Sequence, residues 1–388
     1  MLFSQNKGKF AFFLGNNPQV SKSEIKSVLR LFRVEYNELF ASNFVLIIDT
    51  QDKVEVNKLQ ERLGGTIKIA KLINLVSEAD LESEIFKLIK SKLGKEKFQF
   101  GFSLYGINNI SEFKKLGLSL KRQLKEKDTK LRFITSRDTK LSSVIIQKEK
   151  LIDQGLDIVI IKDKEYYLGN TLTVQDYKSY STFDYSRPSR DDKSGMLPPK
   201  VAKMMINLSE ALNDEVILDP FCGSGTILQE ALLMGFSNVK GSDISDKAIR
   251  DTENNINWLE TKLDLDISNV EIKKQDAQKI SHVFNENSIG VIITEPYLGP
   301  PDRTSNSVIN ELSELYINSF KEFHKVLNEK GVVIFILPIT DNGRIDILEE
   351  IEKIGFKKID LSDDSRGSVI YSREKQRVKR EIFKFEKI

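Results

Sequence analysis

The sequence predicts an α/β protein of two unlike parts: a C-terminal half on a mostly parallel sheet, and an N-terminal region of mixed α and β structure. Three observations carry this. From residue 200 onward, apolar runs of strand length alternate with helical stretches, a spacing that suits parallel strands joined by right-handed crossovers. A glycine-rich turn, Asp219-Pro-Phe-Cys-Gly-Ser-Gly-Thr226, follows one such run and opens a helix. A stretch marked by Arg187-Pro188 and Leu197-Pro198-Pro199 separates this half from an upstream region with strands and helices of its own.

Composition bounds the rest. A chain of 388 residues has room for two or three domains, and 40% hydrophobic residues supply ordinary cores. Lys+Arg 59 against Asp+Glu 57 leaves a net charge of +2, so any basic surface must be local. Cys222 is the single cysteine, which excludes an internal disulfide. With only 2 histidines beside it, no metal site is expected. The opening residues do not read as a secretory signal, and no apolar run approaches the roughly 20 residues of a membrane span. A soluble cytoplasmic protein without a membrane partner is the expectation.

The elements follow in order. Phe10–Leu14 reads as a strand, Ser21–Phe32 as a helix and Phe44–Ile48 as a strand. Ser21 followed by Glu24 has the spacing of a capping box at that helix start. Next come the strand Ile67–Ala70, a helix around Glu82–Leu93 and the strand Phe98–Tyr105. A helix around Ser111–Glu126 and the strands Leu131–Thr135 and Leu156–Ile161 complete this region. In the C-terminal half, Val216–Asp219, Asn238–Asp243, Val270–Ile272, Ile289–Thr294 and Val332–Leu337 read as strands. Ser368–Tyr371 and Glu381–Phe385 read as a closing pair with no helix between them. The expected domains are 1–60, 61–178 and 200–388, with a linker at 179–199.

The glycine turn is the strongest site signal. Ligands of open α/β sheets bind beyond the carboxyl ends of the strands. Gly223 and Gly225 let the backbone approach a ligand where a Cβ would clash. Thr226 opens the helix, and Phe221 lies in the same turn. Asp243, followed by Ile244, ends the second strand, where a carboxylate can accept both hydroxyls of a ribose. Asp276-Ala277 follows the third strand, where an acid can hold an adenine amino group. A nicotinamide site would need a third glycine where Leu228 stands, and gives Asp219 no purpose. A cofactor with an ammonium or sulfonium group does. Cys222 has no histidine near it in sequence and reads as a small apolar residue in a tight turn. His282 and His324 read as structural.

The fourth strand ends in Thr294-Glu-Pro-Tyr-Leu-Gly-Pro-Pro301. Exocyclic amines of bases are poor nucleophiles because the ring delocalises their lone pair. An enzyme must turn the amino hydrogens toward acceptors and aim the lone pair at the electrophile. Glu295 and the Pro296 carbonyl supply acceptors, and Tyr297 supplies a ring to stack on a base taken out of its helix.

Taken together, Asp219–Thr226, Asp243 and Asp276 resemble the successive motifs of class I methyltransferases. Arg187-Pro188 through Gly195–Lys203 resembles the lead-in to the catalytic domain of THUMP-containing tRNA guanine-N2 methyltransferases. These enzymes act on the guanosine at position ten. Phe100–Gly106 and Tyr167–Asp176 are similar to that family's THUMP region, and the resemblance runs from about residue 95 to the end. It implies a Rossmann-like catalytic domain, a ferredoxin-like and THUMP RNA-binding region before it, S-adenosyl-L-methionine as cofactor and tRNA as partner. The family's catalytic motif is Asp-Pro-Pro-Tyr or close to it. Anchoring on the aromatic puts Thr294 in the acid's place; anchoring on the acid puts Glu295 there and Leu298 on the aromatic.

Between Lys114 and Arg132 lies a run of basic residues, Lys121, Arg122, Lys125 and Lys127 among them, that could grip phosphates. A solvated lysine-rich helix is the plainer reading of such a run. Arg187 and Lys200 flank the linker and are placed to contact substrate. The alternatives are methylation of guanine N2 in ribosomal RNA or adenine N6 in DNA, and an inactive RNA-binding protein. Retention of Asp219, Gly223, Gly225 and Asp243 argues against the last.

Overall fold

The computed structural model describes residues 6–93, 97–125, 130–176, 186–190, 196–300, 305–340, 343–374 and 377–388. Lys127 and much of the expected linker lie outside these residues. Among the described residues, no helix is long and apolar enough to cross a membrane. The chain divides into two compact units. Met1–Gly15, Val34–Glu61 and Thr66–Lys178 form the first; Asn16–Arg33, Arg62–Gly65 and Ser179–Ile388 form the second.

The first unit is built on an eight-stranded sheet in the order β2-β3-β1-β4-β8-β7-β5-β6. Its strands are β1 (Asn6–Leu14), β2 (Asn37–Ala41), β3 (Val45–Val54), β4 (Thr66–Val76), β5 (Phe98–Tyr105), β6 (Leu131–Ile134), β7 (Gly155–Lys162) and β8 (Tyr166–Val174). The chain does not break at residue 60 as expected, because β1 pairs with β3 on one side and β4 on the other. Lys68 on β4 is buried against Asp157 on β7 at 2.6 Å, and Ser103 and Thr171 donate to the same carboxylate.

Helix α1 (Pro18–Leu31) belongs to the second unit. The expected capping box is overturned here. The helix starts three residues earlier, with Pro18 at a position where a missing N–H costs nothing. Ser21 and Glu24 therefore sit inside it, one turn apart, on its buried face. Glu24 accepts from the backbone N–H of Gly64 (2.6 Å) and Gly65 (2.8 Å) and from Asn207 (2.7 Å). Helices α2 (Val56–Arg62), α3 (Leu81–Lys92), α4 (Ile110–Gln123) and α5 (Ser143–Lys148) precede α6 (Pro199–Ser209), the helix that carries Asn207.

The second unit's sheet has the order β11-β10-β9-β12-β13-β17-β15. Strands β9 (Ile217–Asp219), β10 (Val239–Asp243), β11 (Glu271–Lys274), β12 (Ile289–Thr294) and β13 (Leu327–Thr340) run parallel. Helices α7 (Thr226–Leu233), α8 (Asp246–Leu263) and α9 (Asn306–Val326) connect them, with a short 3-10 segment, Ala277–His282, after β11. The central strands read as unbroken apolar runs because both faces are covered. Ile217, Val291, Ile293 and Ile334 join a core with α6 and α7. Their alternating neighbours Leu218, Ile292, Val333 and Phe335 meet Tyr316, Phe320 and Phe323 of α9 on the other face.

Strand β14 (Gly343–Arg344) is a short antiparallel extension on β13, and α10 (Leu348–Ile354) leads into β15 (Phe356–Ile359). The expected closing pair is present as β16 (Val369–Tyr371) and β17 (Lys379–Lys387), antiparallel to each other. Strand β17 also runs antiparallel between β13 and β15. Connections leave β9 toward β10 on one side and reach β12 on the other. The sheet order therefore reverses beside β9, and a crevice opens there at the strands' carboxyl ends.

Candidate active site

Strand β9 ends at Asp219, where the chain turns back over the sheet. Gly223 (φ 55°) and Gly225 (φ 79°) adopt the left-handed conformation that side chains resist. A Cβ on Gly225 would come within 3.0 Å of Thr252, whereas one on Gly223 would project into open space. Gly225 caps α7. The close approach of α7 to the sheet comes from Gly241 on β10, where a Cβ would meet Leu228 at 2.5 Å. A third glycine in the turn is not needed.

The strand register assembles the remaining groups. Asp243 ends β10 beside β9, and its carboxylate accepts from Gly223 N (3.0 Å) and Ser245 N (2.9 Å). The turn and the acid thus hold one another. Asp276 caps the 3-10 segment by accepting from Gln278 N at 2.9 Å. Ile244, 68% exposed, stands beside Asp243 as an apolar wall that water alone would not favour. All of these line a cavity of about 1060 Å³, together with Phe221, Thr226, Ala277, Glu295, Pro296 and Tyr297.

Asp219 is buried, and its Oδ1 accepts from Phe221 N (3.1 Å) and the Thr294 hydroxyl (2.7 Å). Burial pushes its carboxyl up to about 7, against the two hydrogen bonds, with Asp243 and Glu295 adding repulsion. Cys222 is buried too, and burial followed by the charge of Asp219 pushes its thiol far up, so it is no nucleophile.

Two expectations need correction. Thr294 is fully buried at the end of β12, absent from the cavity wall, and donates its hydroxyl to Asp219. It braces an acid and does not face a reacting atom. Arg187 is buried behind the turn, where its Nη1 donates to Thr226 Oγ1 at 3.0 Å. Its guanidinium packs against the turn and is not part of the cavity wall. Lys200 is exposed in the first turn of α6 and is not part of the cavity wall. Lys121, Arg122 and Lys125 lie in the last turn of α4 and just beyond it, with Arg122 and Lys125 exposed.

Of the Thr294–Tyr297 segment, Glu295 is the group that brings a carboxylate to the cavity, beside Pro296 and the 58% exposed Tyr297. The Tyr316 hydroxyl of α9 donates to the Tyr297 carbonyl at 2.6 Å and fixes the backbone that carries the ring. One residue of the site was not assigned to it from the sequence. Arg380, at the start of β17, pairs with Glu295 across 85 residues of chain. In the sequence it stands among basic residues between two expected strands, and its partner is set by the pairing of β17 with β13.

Residues 187–343 match the family model described as the UPF0020, RMKL-like, methyltransferase domain. The chain is 26% identical over 349 residues to a tRNA (guanine(10)-N2)-dimethyltransferase of Pyrococcus abyssi, covering 89% of this chain and 92% of the relative. It is 30% identical over 156 residues to the "Probable tRNA (guanine(10)-N2)-dimethyltransferase" of Methanothermococcus thermolithotrophicus, covering 39% of this chain and 88% of the relative. Among solved structures, TrmN from Thermus thermophilus has the same fold, with a TM-score of 0.55 at 15% identity over 98% of this chain and 100% of that one. SMU.472, solved in complex with SAH, aligns with a TM-score of 0.50 at 13% identity over 99% of each chain.

Proposed function

From its membership of the tRNA (guanine(10)-N2)-dimethyltransferase family, we infer that this chain, in the cytoplasm, methylates the exocyclic N2 of a guanosine in tRNA, with S-adenosyl-L-methionine as donor. The observation that carries the reading is the shared cavity: the Gly223 turn and Asp243 line the same space as Glu295, Pro296 and Tyr297.

The residues fit the cofactor. The vacant Cβ position of Gly223 opens on free space. Asp243 and Asp276 each retain lone pairs beyond those given to the backbone, for ribose hydroxyls and an adenine amine. Ile244 offers a flat apolar contact, and Asp219 offers negative charge to a cationic ligand. When bound, S-adenosyl-L-methionine supplies an electrophilic methyl on a sulfonium centre.

The chain's own groups prepare the nucleophile. Tyr297 stacks on the flipped guanine. Glu295 and the Pro296 carbonyl accept the amino hydrogens, and Glu295 is placed to receive the proton that nitrogen gives up. In the first unit, the region containing α4 is read as the THUMP-like RNA-binding part, with Lys121, Arg122 and Lys125 on tRNA phosphates. The test is incubation with labelled cofactor and unmodified tRNA, then digestion to nucleosides. Label in N2-methylated guanosine is expected; label in methyladenosine would overturn the base assignment.

A further inference from the structure

Glu295 is held on both oxygens. Arg380 Nε donates to Oε1, and Nη2 donates to Oε2 at 3.3 Å. The side chains are 5% and 14% exposed, so this fork-on-fork pair stands largely out of water, at the cavity wall. Arg380 itself is fixed by the sheet, opposite Pro338 on β13 and Tyr371 on β16. Asp219 on β9 and Tyr316 on α9 each feel the charge of Glu295 and, being acids, do not favour it, and Arg377 lines the same cavity.

We propose that Arg380 is a positioning residue that keeps the Glu295 carboxylate ionised and aimed at the guanine amine. The inference rests on the reading of Glu295 as the amine's acceptor. Glutamate has one more rotatable bond than aspartate, and a carboxylate on a longer stem loses orientation unless something fixes it. The planar guanidinium fixes both oxygens at once and leaves their remaining lone pairs for the amine. It also supplies charge where charge is needed. Burial pushes the Glu295 carboxyl up, and Arg380 is the cation that opposes this. Without it the group would hold its proton to higher pH. A protonated carboxyl donates where an acceptor is required, and it cannot take the amine's proton.

The experiment compares wild type with Arg380→Met, Arg380→Lys and Glu295→Gln. It measures kcat against pH at saturating cofactor and tRNA, with SAH affinity by calorimetry as the check on folding. Wild type must first yield N2-methylated guanosine; failure there refutes the proposed function, not the role of Arg380. Glu295→Gln is expected to remove the acidic limb of the profile. Arg380→Met should move that limb up by at least about one pH unit, with SAH affinity retained within about threefold. Arg380→Lys keeps the charge and loses the fork, so the limb should stay and kcat fall about tenfold. An Arg380→Met enzyme with an unmoved limb overturns the proposal, whatever its loss of kcat. So does an acidic limb that survives Glu295→Gln. If the Met variant does not fold, the Lys variant decides: wild-type kcat and profile would overturn the role.

Discussion

Asp219 places a buried carboxyl at the cavity wall. The folded protein keeps its proton up to about pH 7, whereas the ordinary carboxyl value is 3.8. Across that window the native state binds more protons than the unfolded chain, so stability falls as pH rises from about 4 to 7. Asp219→Asn should therefore raise stability at pH 8 by at least about 1 kcal/mol, seen as a higher Tm. The same variant should lose most cofactor affinity, because the charge is gone. In the wild type, affinity for S-adenosyl-L-methionine should be about tenfold weaker at pH 6 than at pH 8, which calorimetry at the two values checks. The two turn glycines separate folding from binding. Gly225→Ala meets Thr252 and a left-handed backbone, and should lower Tm by several degrees. Gly223→Ala meets no neighbour, so its fold should survive at about 1 kcal/mol while SAH affinity drops at least about tenfold. Those glycines and Asp243 were legible because the turn constrains residue type locally. Thr294, Arg187 and Arg380 were not. What each side chain touches depends on strand register and on segments far away in sequence.

At the scale of elements, legibility followed burial. Strands β5, β7 and β12, buried along nearly their whole lengths, were readable as apolar runs. Strand β2 is exposed along most of its length, and β15 is four residues of mixed character, so neither stood out. Helix α1 was found but misplaced, because Ser21 and Glu24 also satisfy a pattern used at helix starts. Their actual partners, Gly64, Gly65 and Asn207, are distant in the chain. The buried Lys68–Asp157 pair gives an element-scale prediction. Lys68→Met would strand a carboxylate between β4, β5, β7 and β8. The expected loss is roughly 3–5 kcal/mol, measured by denaturant unfolding. Asp157→Asn keeps partners for Ser103 and Thr171 but leaves the Lys68 ammonium without its counter-ion, and should be comparably damaging.

Over the whole molecule, the near-balanced charge hides a local basic run on and beyond α4. Replacing Lys121, Arg122 and Lys125 by Ser should weaken tRNA binding at about 50 mM salt. It should also flatten the plot of log K against log salt by about one unit for each phosphate no longer held. An unchanged slope would mean that this face is merely solvated. Domain organisation was the part least visible in the sequence. The parallel sheet after residue 200 was apparent from its alternating pattern. That one sheet joins β1 and β3 to β4–β8 was not, since pairing across a long interval leaves no local trace.

The interleaving of the two units bears on how the protein is made. Residues 16–33 leave the ribosome early, yet Ser23 donates to the Leu361 carbonyl and Glu24 accepts from Asn207. For most of translation this first helix therefore waits, its inward face without the surface that will cover it. The methyl-transferring unit cannot finish folding until residue 361 has been made. Nascent chains stalled before residue 361 should remain open to protease within residues 16–33, and become resistant there only on release.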